Sequence, residues 1–321
     1  MKALVTGAAG FIGRRMVRWL EEIGYNVFGV DIVPTMDRRV SKMDVINFFL
    51  DDLEDVKIGR GNVERYDLVV HCAYVVGGRE TIDNDYTALA KNLQLDALMF
   101  RWAHETEQGH VLYFSSSAVY PVELQTGKLP MSKYDGVFHL AEQHACIDLP
   151  LLPDGNYGWA KLTGEKLAMA HRMLGHDVTV VRPFSGYGWD QSLDYPFPMF
   201  IDRAIRGDEV FEIWGSALQQ RDWIHVDDVV AGALAAVREG ISLTNLGTGV
   251  GISMGQLANM IVEAAGNHDP AYKTLYDKPM GVMQRVADPE YMHSFFEPKH
   301  SLQDGINEAV ALRRLHFHSK D

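Results

Sequence analysis

The segment Thr6-Gly7-Ala8-Ala9-Gly10-Phe11-Ile12-Gly13 constrains this chain more than any other. It follows the apolar run Lys2–Thr6, which reads as a buried strand. It leads into Gly10–Ile23, where Ile12, Met16, Trp19, Leu20 and Ile23 recur at helical spacing. A chain that turns from strand to helix this tightly needs glycine for its backbone freedom. The missing side chains let a pyrophosphate reach the backbone, and the helix N-terminus offers it free N–H groups and a positive dipole end. Gly7, Gly10, Phe11, Ile12 and Gly13 are therefore the expected dinucleotide-binding turn, in the strand-before, helix-after context such a turn requires.

Asn26–Asp31 reads as a second strand. A carboxylate at its end accepts both hydroxyls of an adenine ribose and repels a 2′-phosphate, so Asp31 favours NAD over NADP. Arg38 and Arg39 follow closely and work against that preference. Leu68–Ala73 and Val111–Ser115 read as strands around a helical stretch, Ala88–His104. Lys161–Met173 reads as a helix and Asp177–Arg182 as the strand after it. This alternation predicts an α/β fold built on a doubly wound parallel sheet. After Arg182 the pattern loosens at Pro183, Gly186, Gly188, Pro196 and Pro198, with helical stretches at Met199–Ile205, Val226–Glu239 and Gly255–Ala265. The expected division is a nucleotide-binding domain over 1–182 and a smaller, mostly helical substrate domain over 183–321, with some later segments returning to the first.

A net charge of −13 over 321 residues argues against a nucleic-acid or membrane-surface partner. It leaves anionic ligands open, because backbone dipoles and a few arginines bind phosphate inside an acidic protein. Cys72 and Cys146 are too few for a disulfide framework. Met1-Lys2 runs straight into a strand, and no apolar run reaches 18 residues, so the expectation is a cytoplasmic protein without leader or membrane span. His139, His144, His316 and His318 have no companion ligands at metal spacing, and no metal is expected.

Tyr157-Gly158-Trp159-Ala160-Lys161 opens a helix, and residues four apart share a face. The Tyr157 hydroxyl and the Lys161 ammonium can therefore serve one site. A phenol ordinarily titrates near 10; the ammonium and a positive nicotinamide ring would lower that, so that Tyr157 exchanges a proton near neutrality. Ser115-Ser116-Ser117-Ala118-Val119-Tyr120 follows an apolar strand, whose C-terminal end faces the ligand crevice of an open sheet. Ser116 there would hydrogen-bond the reacting oxygen.

In this order, these residues resemble the extended short-chain dehydrogenase/reductase family, in its NAD-dependent nucleotide-sugar epimerase/dehydratase branch. The resemblance covers nearly the whole chain and implies a Rossmann-like fold, bound NAD and a nucleotide-diphosphate sugar substrate. It implies adenine contacts at Asp44 and Val45, a cofactor-side strand end at Cys72 and Ala73, and an active-site support at Asn92. Arg182-Pro183-Phe184 resembles the strand end beside the nicotinamide, with Pro183 toward the cofactor. Arg221, in Arg221-Asp222-Trp223-Ile224-His225-Val226-Asp227-Asp228, and Arg285, in Gln284-Arg285-Val286, resemble the arginines that bind the diphosphate, as guanidinium forks suit phosphate oxygens. Thr244–Gly249 matches the Asn-x-Gly-x-Gly turn. Gly77 and Gly78 resemble the glycine pair of GDP-fucose synthases and GDP-mannose 3,5-epimerases. Ser117 lies toward the substrate, and Ser185 replaces a common asparagine there. The family often pairs helices such as that bearing Leu93, Leu95, Leu98, Met99 and Trp102, which implies a homodimer; ordinary core is the competing reading of that face, and both can hold.

The departures narrow the chemistry. The 4,6-dehydratases carry an Asp-Glu pair where this chain has Ser117 and Ala118, and decarboxylating members also use a carboxylate there. The 3,5-epimerases place a cysteine at the position of Ala118, although Asp190 offers one acid/base group. What remains is hydride transfer at a sugar carbinol, using Ser116, Tyr157 and Lys161 as the catalytic set, with Tyr157 and Lys161 also expected to contact the cofactor. The leading expectation is a C4 epimerase working through a 4-keto intermediate. The alternatives are an NAD(P)H-dependent 4-keto-sugar reductase, a GDP-sugar 3,5-epimerase-like enzyme, and a non-catalytic NAD sensor. Ser116 and Tyr157 stand 41 positions apart, longer than is usual in the family. The extra chain over 122–156 is either a lid or specificity loop, or a passive surface excursion.

Overall fold

The computed structural model describes residues 1–59, 63–78, 85–128, 137–145, 152–266, 270–278 and 280–318. From the N-terminus, β1 (Lys2–Thr6) passes through the glycine turn into α1 (Gly13–Glu22), then β2 (Asn26–Asp31), β3 (Val40–Lys42) and α2 (Val45–Ile58). β4 (Leu68–His71), α3 (Tyr86–Glu105) and β5 (His110–Phe114) follow. The segment expected as an insertion carries the two-residue β6 (His139–Leu140) before α4 (Gly155–Met173) and β7 (Val178–Pro183). Beyond it come β8 (Ser185–Tyr187), α5 (Pro196–Arg206), β9 (Val210–Trp214), β10 (Gln220–His225), α6 (Val226–Arg238) and β11 (Leu243–Leu246). β12 (Gly251–Ser253), α7 (Met254–Ala264), β13 (Ala271–Leu275), β14 (Gln284–Ala287), α8 (Glu290–His293) and α9 (Leu302–His318) complete the order.

Among the described residues the main sheet is seven-stranded and parallel, in the order β11-β7-β5-β4-β1-β2-β3. Strand alternation sends side chains to opposite faces, and both faces are covered. Val5 and Val70 meet Met16 and Leu20 of α1 and Val230 and Ala233 of α6 on one face. Leu4 and Val69 meet Phe49 of α2 and Met99 and Trp102 of α3 on the other. The fold is thus a Rossmann-like α/β sheet. The chain leaves β1 toward β2 on one side and β4 on the other, and that reversal opens a crevice at the strands' C-terminal ends. β11, with α6 packed against it, extends this sheet although both follow residue 183 in the chain.

The later chain also forms a mixed sheet, β12-β10-β14-β6, with β8 on β10, and a small β9–β13 pair. Phe197 and Phe200 of α5, Leu257 and Ile261 of α7, and Ile306 and Val310 of α9 share its core. These short strands escaped the periodicity because polar residues are buried within them. Asp222 of β10 is fully buried, and its carboxylate accepts from the backbone N–H groups of Thr248, Gly249 and Ala287 and from the Thr248 hydroxyl. No helix among the described residues is long and apolar enough to cross a membrane.

Candidate active site

A cleft of about 850 Å³ opens along the C-terminal ends of β1, β2, β4 and β5 and continues to β10 and β14. It gathers the expected cofactor-side residues Gly7, Gly10, Phe11, Ile12, Gly13, Asp31, Asp44, Val45, Cys72, Ala73 and Pro183. It also gathers Ser116, Tyr157, Lys161, Gly77, Ser117, Ser185, Arg221 and Arg285. Asn92 and Gly78 stand behind its wall. The Asn92 side-chain amide accepts from the N–H of Val75 at 2.7 Å and donates to its carbonyl at 3.0 Å, fixing a segment that does line the cleft. Gly78 packs against the Asp194 carbonyl, which an added Cβ would approach to 3.0 Å.

The cofactor half is a cradle that side chains would fill. Gly7 has φ +65°, and a Cβ on it would lie 2.7 Å from the backbone of Cys72; a Cβ on Gly13 would lie 2.0 Å from the Gly7 carbonyl oxygen. α1 therefore begins at Gly13 and not at Gly10, its first N–H groups facing the space left open. Asp31 accepts from the N–H of Ala9 at 2.9 Å and of Val33 at 2.8 Å, so it fastens the turn to the end of β2. Each carboxylate oxygen still has acceptor capacity for a ribose hydroxyl. Arg39, which counted toward NADP, is taken up by Asp37 and Glu21. Asp44 caps α2 through the N–H of Ile46, and Val45 is that helix's first residue. The residues present fit NAD.

In the reaction half, Ser116 lies two residues past the end of β5 with extended backbone and accepts from the N–H of Ala118 at 3.1 Å. α4 starts two residues before Tyr157, at Gly155, so Tyr157 lies in its first turn and Lys161 one turn on. The Lys161 ammonium donates to the Phe114 carbonyl at 2.7 Å and sits 3.2 Å from the centre of the Tyr74 ring. It lies 5.9 Å from the centre of the Tyr157 ring. Burial draws Lys161 down to about 8, against the pull of Asp96. The Tyr157 phenol is held above its ordinary value, by burial first and then by Tyr195 and Asp96; a hydrogen bond with Ser116 and the charge of Arg285 act the other way. The lowering expected from Lys161 is thus not what this arrangement provides, because the ammonium faces Phe114 and Tyr74.

Arg221 and Arg285 are register partners on the parallel strands β10 and β14, which brings both guanidinium groups to one cleft wall. Arg221 donates to the Gln220 carbonyl at 2.7 Å. Arg285 donates to Gln125 at 2.6 Å and to Asp154, just before α4, at 2.5 Å.

Pro183 lines the cleft, while its neighbour Arg182, 1% exposed, does not. The Arg182 guanidinium binds Glu165 through two contacts, 2.8 and 2.7 Å, and donates to the carbonyls of Glu142 and Ala145. Asp190 lines the cleft with both carboxylate oxygens engaged, one by Arg14 at 2.5 Å and the other by Arg15 at 2.8 Å. The described part of the insertion is no passive excursion. β6 pairs with β14, and Asn245 donates from its backbone to Glu142 and from its side chain to the Leu140 carbonyl. Cys146, the insertion residues 129–136 and 146–151, and the His318 side chain lie outside the described residues. His139 bonds the Gly249 carbonyl and His144 the Ala141 N–H, and no cluster among the described residues could hold a metal. Sequence reasoning missed Asp96, Tyr74 and Glu165, which surround Lys161 and Arg182.

A model of the NAD dependent epimerase/dehydratase family matches residues 3–247. The dTDP-4-dehydro-6-deoxy-D-allose reductase of Streptomyces bikiniensis is 28% identical, over 98% of this chain and 96% of its own. Among solved structures, UDP-glucose 4-epimerase of Thermotoga maritima with UDP-glucose superposes with a TM-score of 0.79 at 25% identity, covering 99% of this chain and 100% of that one. MoeE5 in complex with UDP-glucuronic acid and NAD superposes with a TM-score of 0.80 at 27% identity, covering 98% and 100%. The glycine cradle, the Ser116, Tyr157 and Lys161 set and a family match across three quarters of the sequence agree: this chain belongs to the NAD-dependent epimerase/dehydratase family.

Proposed function

We propose that the protein is an epimerase of a nucleotide-diphosphate sugar, acting at C4 through a transient 4-keto sugar. The observation that carries this reading is the composition of the reaction half. Ser116, Tyr157 and Lys161 share one cleft with the Arg221 and Arg285 pair, while Ser117 and Ala118 stand where a dehydratase needs carboxylates. The acids nearby are engaged, Asp190 by Arg14 and Arg15 and Asp154 by Arg285.

In this reading the arginine forks hold the diphosphate, with Asp154 and Gln125 orienting Arg285. Ser116 donates to the reacting sugar oxygen. Tyr157 takes the proton of that hydroxyl as the carbinol carbon loses its hydride, then returns the proton to the same oxygen once the ketone has presented its other face. Bound NAD supplies the hydride acceptor and donor. The ion pairs from Arg14 and Arg15 to Asp190 tie the helix after the phosphate turn to the chain leading into α5, which favours a cofactor kept through turnover. A homodimer belongs to the same reading, although Leu95, Met99 and Trp102 of α3 are core residues and the exposed apolar residues are Trp159, Met169 and Met173 of α4.

A second reading, a 4-keto-sugar reductase, is favoured by the reductase relative that spans almost the whole chain, and it needs the same three catalytic residues. Stoichiometry separates the two. Given a nucleotide-4-keto sugar and excess NADH, an epimerase leaves the absorbance of the added NADH nearly constant, while a reductase consumes one equivalent per sugar.

A further inference from the structure

Beneath the reaction half lies a charged group that the mechanism above does not use. Asp96, on α3, is fully buried. One of its carboxylate oxygens accepts from the Tyr113 hydroxyl at 2.7 Å and the Tyr74 hydroxyl at 3.3 Å. The other faces His71 Nε2 at 3.3 Å, without hydrogen-bond geometry. On its other side the His71 ring bonds Thr6 Oγ1 through Nδ1 at 2.8 Å, and Thr6 Oγ1 also accepts from the N–H of Ala73.

The Tyr74 ring links this carboxylate to the reaction centre. Its hydroxyl bonds Asp96, its face carries the Lys161 ammonium at 3.2 Å, and its plane stands edge-on to Tyr157 at 5.8 Å and 88°. A phenol that donates to a carboxylate has a more electron-rich face, which strengthens its hold on a cation. The fold makes room for the arrangement at Gly164 of α4, where a Cβ would fall 1.9 Å from the Tyr113 hydroxyl and 2.6 Å from Asp96. Burying a carboxylate without a full partner is costly, and groups kept at such cost cluster at functional sites.

We propose that Asp96 and Tyr74 are positioning residues that hold the Lys161 ammonium charged and in place beside Tyr157. The proposal rests on the reading of Tyr157 and Lys161 as the reaction centre, whichever sugar reaction they perform. The titratable groups acting on Lys161 are Asp96 from α3, Cys72 after β4, and Glu165 one turn along α4, whose carboxylate is already bound by Arg182 and Ser115. The phenols of Tyr74, Tyr113 and Tyr157 face the ammonium as neutral rings.

The sign follows from removing one negative charge. Asp96 raises Lys161, so without it the ammonium loses its proton at lower pH; Asp96 also raises Tyr157, so without it the phenol ionises at lower pH. In Asp96→Asn, which keeps shape and hydrogen-bonding capacity, both limbs of the kcat/KM profile against pH should move down by about one unit. Tyr74→Phe, which keeps the ring and cuts its bond to the carboxylate, should shift the alkaline limb the same way by less. The alkaline midpoint of NAD binding, measured by calorimetry without sugar, should fall in parallel, which tests the proposal even if the assigned reaction is wrong. If folded Asp96→Asn keeps both midpoints and loses only overall rate, Asp96 is structural and the proposal fails.

Discussion

Tyr157→Phe folds, binds NAD and nucleotide sugar as the parent does, and turns over about a thousandfold more slowly, within the range general acid–base groups supply. The substitution removes one hydroxyl and keeps the ring that stands edge-on to Tyr74, so the cleft wall is preserved. The lost oxygen hydrogen-bonds Ser116 and is the group placed to exchange a proton with the sugar. KM for the nucleotide sugar should change little, because the proposed diphosphate site, Arg221 and Arg285, is untouched by the substitution. Steady-state kinetics with circular dichroism as the folding control reads the outcome. A variant with undiminished turnover would show that another group is the base, and undiminished biological activity without turnover would favour a sensor.

Arg182→Ala destabilises the protein by about 3–5 kcal/mol, the usual cost of removing one partner from a buried pair. The loss leaves the Glu165 carboxylate, 11% exposed, with Ser115 as its remaining side-chain hydrogen-bond donor among the described residues. It also removes a guanidinium donor from the carbonyls of Glu142 and Ala145, leaving the former the Ala145 N–H at 3.4 Å. Those carbonyls belong to the insertion, so the effect is local as well as global: the chain carrying β6 loses its anchor to β7 beside the wall that presents Arg285. Thermal unfolding should come on the order of 10 °C earlier, and KM should rise in the folded fraction. A melting point within 2–3 °C of the parent, equivalent to roughly 1 kcal/mol, would mean that the insertion is held mainly by β6 and Asn245.

How much of this was legible in the sequence depended on where polar residues are buried. β1, α1, β2 and α3 follow hydrophobic periodicity, and the glycine turn announces itself through its flanks. β10 and β14 do not, because Asp222 and both arginines interrupt any alternation and backbone amides from other segments satisfy the buried carboxylate. Nothing in the sequence assigned Arg182 its partners; Pro183 lines the cleft, and strand geometry sends the adjacent Arg182 side chain to the opposite face. The sequence motifs assigned Asp96 no role. Its spacing from Asn92 and Met99 puts it on their buried face, a signal that was present and not used. The locking of Asp190 needed Arg14 and Arg15, which are about 175 positions away in sequence.

The most direct test of the central claim is incubation of the purified protein, without added cofactor, in D2O with a panel of UDP-, GDP-, dTDP- and CDP-sugars, read by chromatography and mass spectrometry. The account predicts a new isomer of one sugar carrying no solvent deuterium, since the hydrogen that leaves carbon returns to it through a retained cofactor. An isomer with deuterium at carbon would contradict the account and establish proton exchange of the 3,5-epimerising kind, despite Ala118 and the engaged Asp190.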